Sequence, residues 1–396
     1  MNKTCQNCNK EFKITEDDQK FYGKISVPAP TFCPDCRLKR RFAFRNERTL
    51  YKRNCDLCKK NIVSMYCRDV TFPVYCIKCW YSDKWDAMEY GRDYDFNKPF
   101  FEQWSELLNQ VPQIALVQKR TVNSNYVNRE TDVKNCYLDV GGHYNEDCAY
   151  NTYALRSRNV FDNYWIFNSE NCYNSINCVN CYNTNFSQHC LNCIDTFFSY
   201  DCRGCSDIIG CVGLRNKKYY IFNKPYYKEE YLEKVKEFDL GSYKNIQELK
   251  QKFRKFLLLH PKRFNAIIKS VNCTGNDIEN SKNCANCFSV EKVEDSKYMV
   301  IAAEIKDSFD CSSIGMSTGL CYEVISSGGK GVYKLRFSFD IFECMNIEYS
   351  YSLLVGSNSN IFGCISLRNK QYCILNKQYT KEEYEELVLK IIKHMG

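Results

Sequence analysis

The chain has no apolar run long enough to span a bilayer, and no apolar, signal-like segment opens it. A helical membrane anchor is therefore not expected, and a secreted disulfide scaffold is disfavoured. Glycine and proline are sparse, 17 and 8 in 396 residues, which excludes collagen-like and low-complexity classes. Only four histidines occur, His143, His189, His260 and His394, and none lies in a nucleophile or metalloprotease motif. His189 adjoins Cys190, but neighbours on a strand point to opposite faces, which argues against a nucleophile pair. A glycine-rich phosphate loop is also missing. The expectation is a cytoplasmic protein that is not an enzyme and has no membrane partner.

What the chain does have is cysteine, 27 residues of it, together with 30 Tyr and 25 Phe. Its length exceeds one ordinary core, so two or three domains are expected. Reduced thiols in such a chain act as metal ligands or as small core residues.

Eight cysteines form four C-x-x-C pairs: Cys5/Cys8, Cys33/Cys36, Cys55/Cys58 and Cys76/Cys79. Two such pairs supply the four thiolates of a closed tetrahedral site, so the expected cofactor is zinc, two ions, in a double zinc-ribbon module. Iron–sulfur ligation suits these spacings less well. Sequential use joins Cys5/Cys8 to Cys33/Cys36 and Cys55/Cys58 to Cys76/Cys79. A cross-braced alternative joins Cys5/Cys8 to Cys55/Cys58 and Cys33/Cys36 to Cys76/Cys79, and spacing leaves both open. Cys67 is a spare ligand or a small apolar residue. Closed four-thiolate sites lack the open position that metal catalysis needs.

Positive charge is concentrated among these knuckles. Between residues 37 and 60 there are ten basic residues against Glu47 and Asp56, a net +8 that equals the net charge of the whole chain. The run from Arg37 to Arg48 lacks Gly and Pro and reads as a helix. Leu38, Phe42 and Arg45 form an anchoring stripe, while Arg37, Arg40, Arg41 and Arg48 are expected to project outward. Together, Arg37, Lys39, Arg40, Arg41, Arg45, Arg48, Lys52 and Arg53 are candidate contacts to the phosphates of DNA or RNA. The competing readings are a solvated charged face, a scaffold meeting an acidic protein, and a carbohydrate-binding solenoid.

An aromatic segment follows, from Trp80 to Trp85 and from Tyr90 to Phe96. It is expected to cover the metal module, with stacking on unpaired bases as the alternative. Phe100, Phe101, Trp104, Leu107, Leu108 and Val111 recur at helical spacing and place a helix between Pro99 and Pro112.

From residue 133 a strict 12-residue interval appears in Asn135-Cys136, Asp147-Cys148, Asn159-Val160 and Asn171-Cys172. Cys178/Cys181, Cys190/Cys193 and Cys202/Cys205 keep the interval. Short fixed periods mean stacked units, and repeated Asn and Cys columns resemble the inward ladders of a β-solenoid. Val160 stands in a cysteine column, where a ligand cannot become valine but a packed residue can. These cysteines are therefore read as core thiols, with the later doublets keeping metal binding open. The interval leaves open whether one turn uses 12 residues or 24; twelve makes a very narrow coil, so a 24-residue rung with two similar walls is the roomier choice.

The pattern returns in Asn283-Cys284, Asp295-Ser296 and Asp307-Ser308, with Cys287, Met299 and Cys311 as a parallel column. Both copies end in Leu-Arg-Asn-Lys, at Leu214 to Lys217 and Leu367 to Lys370, read as a turn seating a helix. That helix begins at Lys228 or Lys381, with a capping box from Thr380 and Glu383, and would shield the open edge of the last rung. Between the copies Ile246, Leu249, Phe253, Phe256 and Leu257 mark an amphipathic helix ending before Pro261. The expected fold is thus mainly β with α. Its parts are a double zinc-ribbon, treble-clef-like module (1–97), a helical connector (98–132), a first β-solenoid module with helical cap (133–240), a helical linker (241–270), and a second β-solenoid module with helical cap (271–396).

Phe32-Cys33-Pro34-Asp35-Cys36-Arg37, Arg45-Asn46-Glu47-Arg48-Thr49-Leu50-Tyr51, Ser82-Asp83-Lys84-Trp85-Asp86, Pro99-Phe100-Phe101-Glu102-Gln103 and the stretch Leu367 to Cys373 resemble one family over nearly the whole length. It comprises cysteine-rich zinc-ribbon proteins of candidate phyla radiation (Patescibacteria) bacteria. The resemblance implies kinship and architecture, and brings no established activity. The combined expectation is a zinc-binding protein whose basic segment contacts nucleic acid, while the solenoids form a rigid, partner-binding body.

Overall fold

The computed structural model describes residues 1–329 and 331–396. The N-terminal region is built twice on one plan. A hairpin of β1 (Asn2–Thr4) and β2 (Glu11–Lys13) is followed by α1 (Glu16–Lys24) and α2 (Pro34–Phe42). A second hairpin, β3 (Tyr51–Asn54) with β4 (Asn61–Ser64), is followed by α3 (Ile77–Trp80). Asn9 and Lys59 hold φ of 59° and 62° at equivalent hairpin positions. The connector helix α4 (Phe100–Leu108) turns Phe100 and Leu107 into the core.

From Gln118 the chain winds into a coil, earlier than the expected boundary at 133. Parallel bridges run from Asn128 to Val140, Thr131 to His143, Lys134 to Glu146 and Tyr137 to Ala149. Every partner is 12 residues on, so of the two open turn lengths it is 12, and the roomier 24-residue rung is ruled out. Successive bridges are three residues apart, so the turn has four walls of three residues. Each wall buries one small side chain, as with Ser169, Cys172, Ser175 and Cys178 in a single turn. Four such side chains fill a narrow interior, which is why a coil this tight can close.

Corners are made by residues with left-handed backbone. Asn168, Asn171, Asn174, Asn177, Asn180 and Asn183 have φ between 47° and 55°. Asn is, after Gly, among the residues that adopt this region at least cost. Inside, each thiol lies against a carbonyl of the next turn, as Cys148 Sγ to Ser157 O at 3.5 Å and Cys172 Sγ to Cys181 O at 3.8 Å. Asp139, Asn151 and Asn163 form a polar column linked Nδ2 to Oδ1 at 3.1 and 3.0 Å. The thiols of Cys178, Cys181, Cys190, Cys193 and Cys202 make the same thiol-to-carbonyl contacts.

The first coil closes under α5 (Lys228–Glu237) and α6 (Tyr243–Leu257). Leu249 and Phe253 of α6 pack on Phe198, Ile209 and Val212. The second coil runs from Ile267–Ile268 to Gln371–Ile374 and is less regular. Paired residues there lie 11 apart (Cys273 and Cys284), 13 apart (Phe309 and Tyr322) or 14 apart (Tyr322 and Arg336). Its interior includes larger core residues, such as Leu335, Ile347 and Ile361. Its end is covered by α7 (Lys381–Met395), which starts in the capping box of Thr380 and Glu383.

The coils lie side by side and run in opposite directions. Early in the first, Arg129 pairs with Asp340, late in the second, at 2.6 and 3.0 Å. Late in the first, Asp201 meets Arg263, just before the second, at 3.2 Å.

Candidate metal centres

The two hairpins bring the eight knuckle cysteines into two groups, Cys5/Cys8/Cys33/Cys36 and Cys55/Cys58/Cys76/Cys79. Within each group all four sulfurs lie within 4.8 Å of one another, so each could hold a metal ion. The pairing is sequential, and the cross-braced alternative is excluded. Cys67 belongs to neither group. Each site combines a hairpin pair with a pair at a helix start, Cys33 and Cys76 being the residues immediately before α2 and α3.

Backbone geometry is nearly identical in the two sites. The amides of Cys5 and Asn9 bond Lys10 O and Cys5 O, both at 2.9 Å, and those of Cys55 and Lys59 bond Lys60 O and Cys55 O at 2.8 and 2.9 Å. Cys33 N donates to Cys5 Sγ and Cys76 N to Cys55 Sγ, each at 3.2 Å. Such N–H donors favour the thiolate that binds metal. Burial pushes the Cys5 thiol up, but amide donors from Cys33, Cys8 and Asn7 together outweigh it and bring it to about 6. Cys58 falls to about 7, chiefly through the Lys60 amide.

The second site sits at a junction. Its flanking strand Val74–Tyr75 pairs in parallel with Gln113–Ile114, from which the first coil begins. On the other side, Arg368 from the end of the second coil lies over the rings of Trp80 and Trp85 at 4.2 and 4.7 Å and donates to Trp80 O. The Leu-Arg-Asn-Lys turn of the second copy therefore reaches the metal module as well as preceding the cap. Trp80, Trp85 and Tyr94 are buried, as expected for a cover over the module.

The basic residues are placed differently from expectation. Helix α2 ends at Phe42, which is exposed, and its buried face is cationic: Arg37 is 2% and Arg41 4% exposed. Both meet Asp310 of the second coil, Arg41 Nη1 hydrogen-bonding Oδ1 at 3.2 Å and Arg37 Nη2 approaching Oδ2 at 2.9 Å outside hydrogen-bond angles. Arg40 pairs with Glu323. Arg45 is spent on Glu47, and Arg53 on Asp56 and Cys67 O. The outward projection of Arg37 and Arg41 is thus corrected, because carboxylates nearly 300 residues downstream draw that face inward. Lys39, Arg48 and Lys52 remain exposed, and Arg40 is partly so.

The first half-module is also held by α1. Phe21 stacks on Phe309 with centroids 3.8 Å apart, and Lys297 Nζ donates to Asp18 Oδ1 at 2.8 Å. Burial pushes the Asp18 carboxyl up, but hydrogen bonds from Lys297 and Thr15 outweigh it and hold it below its ordinary 3.8. A carboxyl lowered in the fold contributes stability above its unfolded value and loses it as pH falls through the folded one. Asp18→Asn should therefore flatten the stability loss between about pH 4 and more acidic values, as read by urea unfolding at several pH values.

Among the described residues no helix is long and apolar enough to cross a membrane. No family model matches the chain, and no curated protein matches it.

Proposed function

We propose that this is a non-enzymatic scaffold organised by two zinc ions, in which the four-thiolate modules clamp two solenoids into one body for contact with a protein partner. The observation that carries this reading is the junction at the second site, joined to the start of one coil through Val74–Tyr75 and to the end of the other through Arg368. Four thiolates at knuckle spacing suit zinc, and a closed set of this kind is structural. Free thiols throughout fit a reducing, cytoplasmic setting. For the partner, the outer walls of the first coil carry exposed Tyr126, Tyr137, Tyr150, Phe161 and Tyr173, a residue type enriched at protein interfaces. Kinship with the Patescibacteria zinc-ribbon proteins belongs to the same proposal.

A second reading, contact with DNA or RNA, is favoured by the exposed cations Lys39, Arg48 and Lys52. Binding of the zinc-loaded protein to labelled DNA and RNA across a salt series separates the two. The scaffold reading expects no binding that falls steeply with salt. A log–log slope that drops by about 0.7–0.9 per lost contact in a Lys39→Ala, Arg48→Ala, Lys52→Ala variant would instead establish the nucleic-acid reading.

A further inference from the structure

One turn of the first coil differs from the rest of its interior. Its four inward residues are Glu130, Val133, Cys136 and Asp139, and Gly142, Asn145, Cys148 and Asn151 occupy the same columns in the next turn. The sulfurs of Cys136 and Cys148 and a carboxylate oxygen of Asp139 lie within 4.8 Å of one another, all three residues being buried. Glu130 is 1% exposed, and neither of its carboxylate oxygens has a hydrogen-bond partner. Asp139 accepts from Asn151 N and Nδ2 through Oδ1, at 2.8 and 3.1 Å, while its Oδ2 is unpartnered.

Two buried carboxylates with three orphaned oxygens are costly unless a cation or protons neutralise them. The basic side chains of these turns point elsewhere, Arg129 to Asp340 and Lys134 to Glu146. Room for the Glu130 carboxylate comes from Gly142, where a Cβ would stand 2.8 Å from Oε1. Further along that column the side chains return as Ala154, Ile166 and Cys178, each buried. The Cys136 and Cys148 sulfurs also touch carbonyls, as every ladder thiol does, at 3.4 Å (Lys134 O) and 3.2 Å (Glu146 O). The carboxylates are what set this turn apart.

We infer a third metal site here, taking a zinc-like divalent cation through Cys136, Cys148 and Asp139, with the buried Glu130 carboxylate of the same turn adding negative charge. Ligand atoms this close suit an ion held about 2.0–2.3 Å from each sulfur and oxygen, and a mixed sulfur and oxygen set suits a cation of borderline softness. Val160, the next residue in the cysteine column, ends the site on that side. The ion would staple the first turns of the coil, close to the junction with the second four-thiolate site.

The test is the zinc content per chain of the full-length protein, measured by mass spectrometry of the metal for wild type, Cys148→Val and Glu130→Gln/Asp139→Asn. Valine is already accommodated at Val160, so Cys148→Val removes a ligand with a side chain that the column accepts. The inference expects each variant to hold one ion fewer than wild type, with a lower melting temperature for the double amide. The cobalt-substituted variant Cys148→Val should also lose part of the thiolate charge-transfer absorbance. Equal metal content in all three proteins, with the double amide folded and at least as stable, would overturn it and leave two protonated acids in the coil. The readout is a difference from wild type, so it is independent of whether the four-thiolate sites hold their ions.

Discussion

Cys76→Ser should unfold the second metal module and loosen the start of the first coil. Cys76 supplies one of four thiolates and also caps α3, accepting from Cys79 N at 3.4 Å. Structural zinc of this type contributes about 10–16 kcal/mol of apparent binding energy, which the loss of one thiolate largely removes. Tyr75, Trp80 and Trp85 belong to a core that continues into the second coil, with Trp85 Nε1 donating to Trp80 O at 3.1 Å, so the coil side stays packed while the knuckle opens. Loss of the site removes the support for the Val74–Tyr75 pairing with Gln113–Ile114. Limited proteolysis should then cut between residues 51 and 117, with at least one metal ion lost. Cys67→Ser, outside both sites, should leave the cleavage pattern and metal content unchanged.

The second large effect is expected from Asp310→Ala. Asp310 is fully buried and faces both Arg37 and Arg41, so its removal leaves two guanidinium groups in a dry interface beside Glu323, which Arg40 already engages. Removing one partner of a buried ion pair costs about 3–5 kcal/mol, because the other charge is stranded. Unfolding of the docked first half-module should shift accordingly in urea. Arg48→Ala, an exposed position, should stay within about 0.5 kcal/mol of wild type. A double-mutant cycle between Asp310 and Arg41 should give a coupling of order 1 kcal/mol or more. Additive effects would place the stabilisation elsewhere in the interface.

Much of this architecture is legible in the sequence, for reasons that differ by region. The metal ligands are local pairs, so spacing reveals them, and only the choice between sequential and cross-braced sites needs the fold. The solenoid is visible through its 12-residue interval because stacked turns place identical environments at identical steps. A finer signal, period three, lies in Asn168, Asn171, Asn174, Asn177, Asn180 and Asn183, each at a corner with positive φ. That spacing implies walls of three residues, and the parallel bridges to partners 12 residues on then give four walls per turn. The basic helix misleads because amphipathic reasoning turns charge toward solvent. Arg37 and Arg41 face inward because Asp310 waits on a wall that no local pattern connects to them. Asp139 likewise carries no motif, since its neighbourhood with both Cys136 and Cys148 exists only once the chain is coiled.

On the proposed reading, bound metal holds the two coils together. The most direct measurement of this is limited proteolysis of the wild-type protein during titration with a zinc chelator, with released metal counted in parallel. Cleavage within residues 1–117 should rise in step with metal release, while the coil segments 118–223 and 266–376 resist longer. Metal release without any change in cleavage, or a protein that carries no metal and is equally resistant, would contradict it.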